Sequence, residues 1–260
     1  MSQSRQSVTI DEKDLLIRTL GLKLFAGHNI HGHAHSWGQV IFASRGVMQV
    51  DADGCRWTVP PMRCLWVPAG VEHQIRIIAE TWMRTIYVKP ELASDLPANC
   101  TVLNVSPLLR EVILETLRLG MLWQQVAPHA HLTAVLIDQL LTANEMQLKI
   151  KMPLDRRALR LADAISDDPA DRTPLNDLAR IAGASARTLE RLFVEETGLS
   201  VGRWRQQARL MMAVRLLIEG APVNHAAFAS GYENPSAFVA MFRREMGITP
   251  GQYLRGLRSE

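Results

Sequence analysis

The chain has few cysteines, no long apolar run and, over its last third, no lysine. Its three cysteines, Cys55, Cys64 and Cys100, have neither the even number nor the C-x-x-C spacing of a disulfide framework or a zinc motif. We therefore expect three free thiols in a reducing compartment. No apolar run approaches the ~20 residues that a transmembrane helix needs, and the polar stretch Met1–Asp14 lacks the apolar core of a signal peptide. These absences predict a cytoplasmic protein with no membrane partner.

What the chain does contain is enough apolar and arginine-rich sequence for two folded domains. Hydrophobic residues make up 47% of the 260 residues, which excludes an intrinsically disordered chain. The net charge is only +3, but the part from Arg172 onward has 12 arginines, no lysine and 8 acidic residues, a local charge of +4. Arginine favours planar, bidentate contacts to phosphate and guanine.

The stretch from Ser185 to Phe193 predicts a capped amphipathic helix. Ser185 stands at an N-cap position, and Leu189, Leu192 and Phe193 form one apolar stripe, with the polar residues on the opposite face. Upstream, Leu175–Ala182 is a second short amphipathic pattern that ends at Gly183, where a left-handed residue is expected. Helix, tight turn and capped helix favour a helix-turn-helix, although an ordinary αα-hairpin would give the same local pattern.

A second copy of this pattern follows 49 residues later. The residues that recur are the apolar stripe, the closing glycine and the aromatic residue beyond it: Leu189, Leu192, Phe193, Gly198, Gly202 and Trp204 become Phe238, Met241, Phe242, Gly247, Gly251 and Tyr253. Gly183 recurs as Gly231 after 48 residues, and Asn234 followed by Pro235 opens the second helix. A repeat of fixed period indicates duplicated structure.

Two helix-turn-helix units in about 100 residues, closed by the segment from Gly231 to Tyr253, resemble the DNA-binding domain of the AraC/XylS family of bacterial transcription regulators. The resemblance covers residues 155–256 and implies an all-α DNA-binding domain over residues 155–260. It implies DNA contacts at Ser185, Arg187, Thr188, Glu190 and Arg191 in the first unit and at Asn234, Ser236, Ala237, Ala240 and Arg243 in the second. Arg187, Glu190 and Arg191 match positions that read bases, whereas we expect Arg243 to bind phosphate.

The first half of the chain predicts a small all-β barrel or sandwich. Six β-rich segments lie between about Leu20 and Lys89, and the turn signal Asp51–Gly54 joins two of them. Short strands at this spacing, with no helical period, are typical of such folds.

Inside this region, His33, His35, Gln39 and His73 follow the spacing of the two cupin motifs, with glutamine where the usual glutamate ligand stands. Three imidazoles and an amide oxygen would suit Zn²⁺, Ni²⁺ or Fe²⁺, so these four are candidate metal ligands. The other interpretation is that they line an effector pocket without metal, and no cofactor is then required. The candidate pocket residues are His33, His35, Trp37, Gln39, Trp66 and His73, although a barrel tryptophan is more often part of the core.

Two amphipathic helices are predicted at Leu108–Trp123 and His131–Leu148, within a helical segment 106–148. The resemblance places the dimer contact there, so we expect a homodimer. Residues 1–105 would then be the cupin-like sensor, and residues 149–154 a short linker to the DNA-binding domain.

These observations predict a multidomain, one-component transcription regulator that binds operator DNA and a small-molecule effector. As an activator it would also contact RNA polymerase; as a repressor it would not need to. We expect it not to be an enzyme. Two alternatives remain open: a cupin-fold metalloenzyme of the dioxygenase type with a helical accessory domain, and a DNA-binding protein whose degenerate barrel senses nothing.

Overall fold

A computed structural model of the chain describes residues 12–146 and 149–258. The amino-terminal part is a β-sandwich of two antiparallel sheets. Its strands are β1 (Leu15–Leu24), β2 (Asn29–His33), β3 (Gly38–Arg45), β4 (Met48–Ala52), β5 (Cys55–Val59), β6 (Arg63–Val67), β7 (His73–Ile77), β8 (Thr81–Val88), β9 (Thr101–Asn104), β10 (Met121–Trp123), β11 (Glu145–Met146) and β12 (Lys149–Lys151). Sheet A has the order β10-β1-β8-β3-β6-β9-β11, and sheet B has the order β12-β5-β4-β7-β2.

Two helices cover the sandwich, and the described carboxy-terminal part is entirely helical. The covering helices are α1 (Pro107–Leu119) and α2 (Ala127–Thr142). The carboxy-terminal helices are α3 (Arg156–Asp167), α4 (Leu175–Ala182), α5 (Ala186–Thr197), α6 (Val201–Ile218), α7 (Val223–Ala229), α8 (Pro235–Met246) and α9 (Pro250–Arg258).

Side-chain alternation gives sheet A two apolar faces. Ile41 and Met83 point toward sheet B and join the core between the sheets, whereas Val40 and Phe42 point the other way and pack against α1 and α2. We call the face of each sheet that is turned toward the other sheet its inner face. Because a strand alternates with a period of two, the register of one buried pair fixes the face of every residue along it.

The hairpin predicted at Asp51–Gly54 is confirmed. Ala52 pairs with Cys55, and both turn residues, Asp53 and Gly54, have positive φ angles of 52° and 65°. These angles match the two-residue turn that follows the right-handed twist of the flanking strands.

The two helices predicted within residues 106–148 have different bounds in the structure. The first ends at Leu119 rather than Trp123, because Gly120 has a φ of 80° and the next three residues pair with β1 as β10. The second begins at Ala127, with its proline in the first turn, and ends at Thr142. Its predicted end at Leu148 lies outside the described residues.

The predicted linker is not a free connector. Lys149–Lys151 pairs with β5 as the edge strand β12 of sheet B. The side chain of Ile150, however, is buried in the core formed by α3, α4, α5 and α6, and the indole Nε1 of Trp204 donates to the Lys151 carbonyl at 2.7 Å. The segment therefore belongs to both parts of the protein: its backbone to the sandwich and its apolar side chain to the helices.

The internal repeat is confirmed as repeated packing. Phe193 and Trp204 meet edge to face with ring centroids 5.7 Å apart, and Phe242 and Tyr253 repeat this contact at the same distance. The long helix α6 between the units carries the first contact at its start and packs against α7 and α9, so it joins the two units rigidly.

Candidate functional sites: a histidine pocket and a nucleic-acid interface

Three histidines converge between the ends of β2, β3 and β7. His33 on β2 pairs directly with His73 on β7, and His35 follows β2 in the chain. The potential ligand atoms of the three imidazoles all lie within 4.8 Å of one another. The structure thus brings together the three histidines that the sequence predicts to act together.

Each of these imidazoles is oriented by a backbone carbonyl. The Nδ1 atoms of His33, His35 and His73 lie 2.8, 2.7 and 3.0 Å from the carbonyl oxygens of His31, Trp37 and Val71. A carbonyl only accepts, so each Nδ1 carries a hydrogen, and in a neutral ring Nε2 then has a lone pair. This is the orientation that metal-binding histidines adopt.

His73 is the most buried of the three and has the most perturbed pKa. Burial lowers its pKa to about 4, and the neighbouring His33 and His35 act in the same direction, although the bond to Val71 opposes them. The ring is therefore neutral at pH 7, and its buried Nε2 has no hydrogen-bond partner among the described residues. An unpaired buried lone pair is costly, so this atom fits a ligand for a cation or an acceptor for an effector.

Gln39 completes the group from β3. Its Oε1 lies 2.8 Å from Nε2 of His35, so in the neutral tautomer with the hydrogen on Nδ1 two lone pairs face each other. A cation against both atoms relieves the repulsion, and so does a rotation of the amide that presents its NH₂ group instead. Three imidazole nitrogens and one amide oxygen form a donor set that suits Zn²⁺, Ni²⁺ or Fe²⁺.

The two tryptophans predicted to line this pocket lie in different places. The Trp37 carbonyl contacts Nδ1 of His35, and the guanidinium carbon of Arg18 lies 4.2 Å from the centre of the Trp37 ring. Trp66 lies on the opposite face of sheet A, where its Nε1 donates to the Pro97 carbonyl. A Cβ atom added at Gly38 would lie 2.1 Å from the Trp66 ring. The assignment of Trp66 to the pocket was therefore wrong, because strand alternation turns its side chain toward α1 and α2.

One residue that the sequence analysis missed belongs to the pocket. Tyr87 on β8 pairs with Gln39, and its ring meets the His35 ring edge to face at 5.0 Å. Nothing in the local sequence distinguishes it, since its place follows only from the register of β3 against β8.

In the first helix-turn-helix unit, the predicted reading helix is α5. Ser185 caps it by accepting from the Thr188 amide at 3.1 Å, and Gly183 closes α4 in the left-handed region at a φ of 76°. Arg187 and Arg191 are exposed on the face opposite the buried stripe. Arg191 forms an ion pair with Glu195 one turn later, which at an exposed site is a weak restraint on reaching DNA.

Glu190 has a structural role that the sequence analysis did not anticipate. Its Oε2 accepts from the backbone amide of Val201 at 3.1 Å, in the first turn of α6. A carboxylate at a helix amino terminus satisfies a free amide and favours the helix dipole. Glu190 therefore helps to fix the junction of α5 and α6, and its contact to a base edge stays a prediction.

The second unit presents a smaller and less polar surface. Asn234 caps α8 by accepting from the Ala237 amide at 2.8 Å. Ser236, Ala237, Ala240 and Arg243 are exposed, as a reading surface requires. They border a shallow groove lined by Pro235, Ser236, Val239, Ala240, Arg243, Arg244 and Thr249.

Several arginines of this region are used inside the protein. Arg205 and Arg209 on α6 donate to the carbonyls of Thr173 and Pro169, and Arg160 donates to that of Ala182. The bonds of Arg205 and Arg209 hold the loop before α4 against α6, and that of Arg160 joins α3 to the end of α4. The arginine content therefore reflects internal bracing as well as surface charge.

The outer face of sheet B, turned away from sheet A, contacts α3 through Arg56. This side chain is 5% exposed and donates to both carboxylate oxygens of Asp51, at 2.8 and 3.0 Å, and to Asp163 on α3 at 3.0 Å. Burial by itself would raise the pKa of Asp51, but the hydrogen bonds and charge of Arg56 outweigh it and lower the pKa. Gln74 donates to the same carboxylate at 3.0 Å.

Comparison with known proteins identifies both halves. The family model described as an AraC-like ligand binding domain matches residues 23–162, and a helix-turn-helix domain model matches residues 178–256. The chain belongs to the AraC family of transcriptional regulators. It is similar to the HTH-type transcriptional regulator NimR of Escherichia coli K12, with 34% identity over 86% of this chain and 82% of that protein.

The AraC-family assignment establishes a DNA-binding transcriptional regulator with an amino-terminal ligand-binding domain. Two solved structures are also similar. ToxT of Vibrio cholerae with bound unsaturated fatty acid has 12% identity over 92% of this chain and 94% of that chain, at a TM-score of 0.38. The DNA-binding domain of AdpA in complex with a target DNA has 29% identity over 41% of this chain and 96% of that chain, at a TM-score of 0.37. Among the described residues, no helix combines the length and apolarity needed to cross a bilayer.

Proposed function

We propose that this AraC-family regulator senses its effector in the histidine pocket and transmits occupancy to the two reading helices through the contact between sheet B and α3. The observation that supports the proposal most is the convergence of three oriented imidazoles in the ligand-binding domain. The proposal assigns no catalytic turnover to the pocket and places the protein in the cytoplasm, with operator DNA as its partner. If the protein activates transcription, RNA polymerase is a further partner.

The proposed transmission uses the two faces of a single strand. On β7, His73 faces the pocket on the inner side, while the next residue, Gln74, bonds Asp51 on the outer side. Asp51 holds Arg56, and Arg56 holds Asp163 of the DNA-binding part. Displacement of β7 by an occupant therefore shifts the carboxylate that positions Arg56.

The ion-pair network is poised between two states. Nη1 of Arg56 is buried and lacks a hydrogen-bond partner among the described residues, which costs about 1–3 kcal/mol for a buried polar group. That cost offsets part of the attraction to Asp163. The bonded arrangement and a released arrangement, in which water solvates Nη1, are then both accessible. A ligand can shift the equilibrium only between two states that are both accessible.

We also propose that the pocket holds a divalent ion on His33, His35, Gln39 and His73. The fit rests on the convergence of one ligand atom from each imidazole within 4.8 Å and on the unpaired buried atom of His73. When bound, the ion would supply a positive anchor for effector oxygens. The carbonyl bonds to Nδ1 orient the rings, and burial keeps His73 unprotonated.

Metal analysis of protein purified without a histidine tag tests this site. Near-stoichiometric Zn²⁺, Ni²⁺ or Fe²⁺ is expected, and His73→Ala should lose it because one imidazole ligand is removed. His131→Ala, on the exposed start of α2, is the matched control and should keep the metal. If the wild-type protein stays metal-free after reconstitution at neutral pH, the metal site is wrong and the interpretation as an effector pocket without metal stands.

We propose a homodimer formed through α1 and α2. Leu108, Val135 and Leu141 are 55%, 40% and 40% exposed on these helices, so a partner's helices could cover them. Sedimentation at micromolar concentration should show a dimer for the wild type and a monomer for Leu141→Glu. Ile181→Glu, which alters a 78% exposed side chain on α4, should remain dimeric. Equal behaviour of the two variants would place the contact elsewhere.

Binding titrations at several salt concentrations, on an operator selected from random DNA and on scrambled DNA, test the reading surface. Arg191→Ala should cost about 1–3 kcal/mol on the operator and relax preference at one base pair. Arg243→Ala should weaken binding to both DNAs alike and lower the salt slope by about one, as loss of a phosphate contact does.

Glu190→Ala provides the structural control for these titrations. It should reduce stability by about 1 kcal/mol, through the lost bond at the start of α6, and, if its role is only structural, leave base preference unchanged. Equal loss on both DNAs for Arg191→Ala, with its melting temperature intact, would show that α5 positions the protein without reading sequence.

A further inference from the structure

The inner face of sheet A places a cation next to the histidine pocket. In register, Arg18 on β1 pairs with Tyr87 on β8, and Tyr87 pairs with Gln39 on β3. The three side chains therefore form one row on the face turned toward sheet B, and adjacent strands lie about 4.8 Å apart. Arg18 is thus about 10 Å from Gln39 and directly beside the tyrosine that touches His35.

Arg18 is exposed and stacks on an aromatic ring. Its guanidinium carbon lies 4.2 Å from the centre of the Trp37 ring, an attractive cation–π contact. Over residues 12–146 and 149–258, no carboxylate forms an ion pair with Arg18. Because stacking uses the flat face of a guanidinium, the N–H donors at its edge remain available for a planar oxygen pair.

The groups along this row are a guanidinium, a phenol and an amide. Glutamine occupies position 39, where the cupin pattern has glutamate. The Glu72 carboxylate, next to His73 in sequence, is exposed, and its Oε1 lies 3.1 Å from where a Cβ atom on Gly32 would stand. The Tyr87 hydroxyl can donate a hydrogen bond. A positive, donor-rich pocket of this kind favours a negatively charged occupant.

We propose that the effector is a small organic anion whose carboxylate binds Arg18 and the Tyr87 hydroxyl while the rest of the molecule extends toward the three histidines. The inference rests on the proposed sensor function of this pocket and adds the chemical class of its ligand. Recognition requires no bound metal, since Arg18 alone supplies the charge. A divalent ion on the histidines would strengthen the same preference.

Thermal melting and calorimetry of the full chain test the charge preference. The probes are benzoate, salicylate and pyruvate, each at millimolar concentration, against neutral benzamide and cationic benzylamine, with and without added Zn²⁺. At least one carboxylate should raise Tm by about 5 °C at a hundredfold excess over its Kd. Benzamide and benzylamine should not shift Tm, because they lack the anionic oxygens that Arg18 binds.

Substitutions then test the residues. Arg18→Ala should reduce affinity for the carboxylate at least tenfold, Arg18→Lys should restore part of it, and Tyr87→Phe should weaken it by a smaller factor. Arg84→Ala is the matched control, because Arg84 lies on the opposite face of sheet A over the ring of Trp82 at 5.7 Å. It should bind the carboxylate as the wild type does.

The outcomes separate this inference from the sensor function itself. Carboxylate binding that Arg18→Ala leaves unchanged, or binding of only the neutral or cationic probe, would overturn the anion assignment while the pocket remains a sensor. Failure of every carboxylate to bind also overturns it. Binding of no probe of any charge, with operator affinity unchanged by any of them, would count against the sensor function as well.

Discussion

The arrangement of this protein depends on the three-residue strand β12. Its backbone completes the edge of sheet B by pairing with β5, while Ile150 is buried among the helices of the first DNA-binding unit. Trp204, an aromatic anchor of that unit, donates to the carbonyl of Lys151. Without β12, strand β5 would be the edge strand, with unpaired amides and carbonyls. The segment that leads into the first DNA-binding helices pairs with these groups. The sandwich and the first DNA-binding unit therefore share one continuous element.

The histidine pocket and the contact to α3 lie on opposite faces of the same strand, β7. The strand that carries His73 into the pocket also carries Gln74 onto the outer face, where Asp51, Arg56 and Asp163 meet. A rotation or shift of that strand changes both faces at once, because consecutive residues of a strand point in opposite directions. The short, structured connector leaves little slack to absorb such a shift.

The features that sequence predicted correctly depend on local signals. Ser185, Asn234 and Gly183 are helix-boundary residues whose roles follow from their immediate neighbours, and the 49-residue repeat gave the duplicated units. The features it missed depend on pairings between distant parts of the chain. β12 becomes a strand only beside β5, and Trp66 faces the helices because of the sheet register. Tyr87 and Arg18 lie side by side on strands about 70 residues apart in sequence. The structural bond of Glu190 was missed for the same reason, because its partner is the start of the next helix.

The most direct test of the account measures operator affinity with the pocket empty and with it occupied by Zn²⁺, in the wild type and in Asp163→Asn. Coupling between two sites typically changes affinity roughly 5- to 150-fold, and the wild type should show a change in this range. Asp163→Asn removes the carboxylate that binds Arg56 across the junction, so occupancy should no longer alter its operator affinity. Asp167→Asn, at the end of the same helix, should behave as the wild type does. An unchanged response in Asp163→Asn, or none in the wild type, would contradict transmission through Arg56.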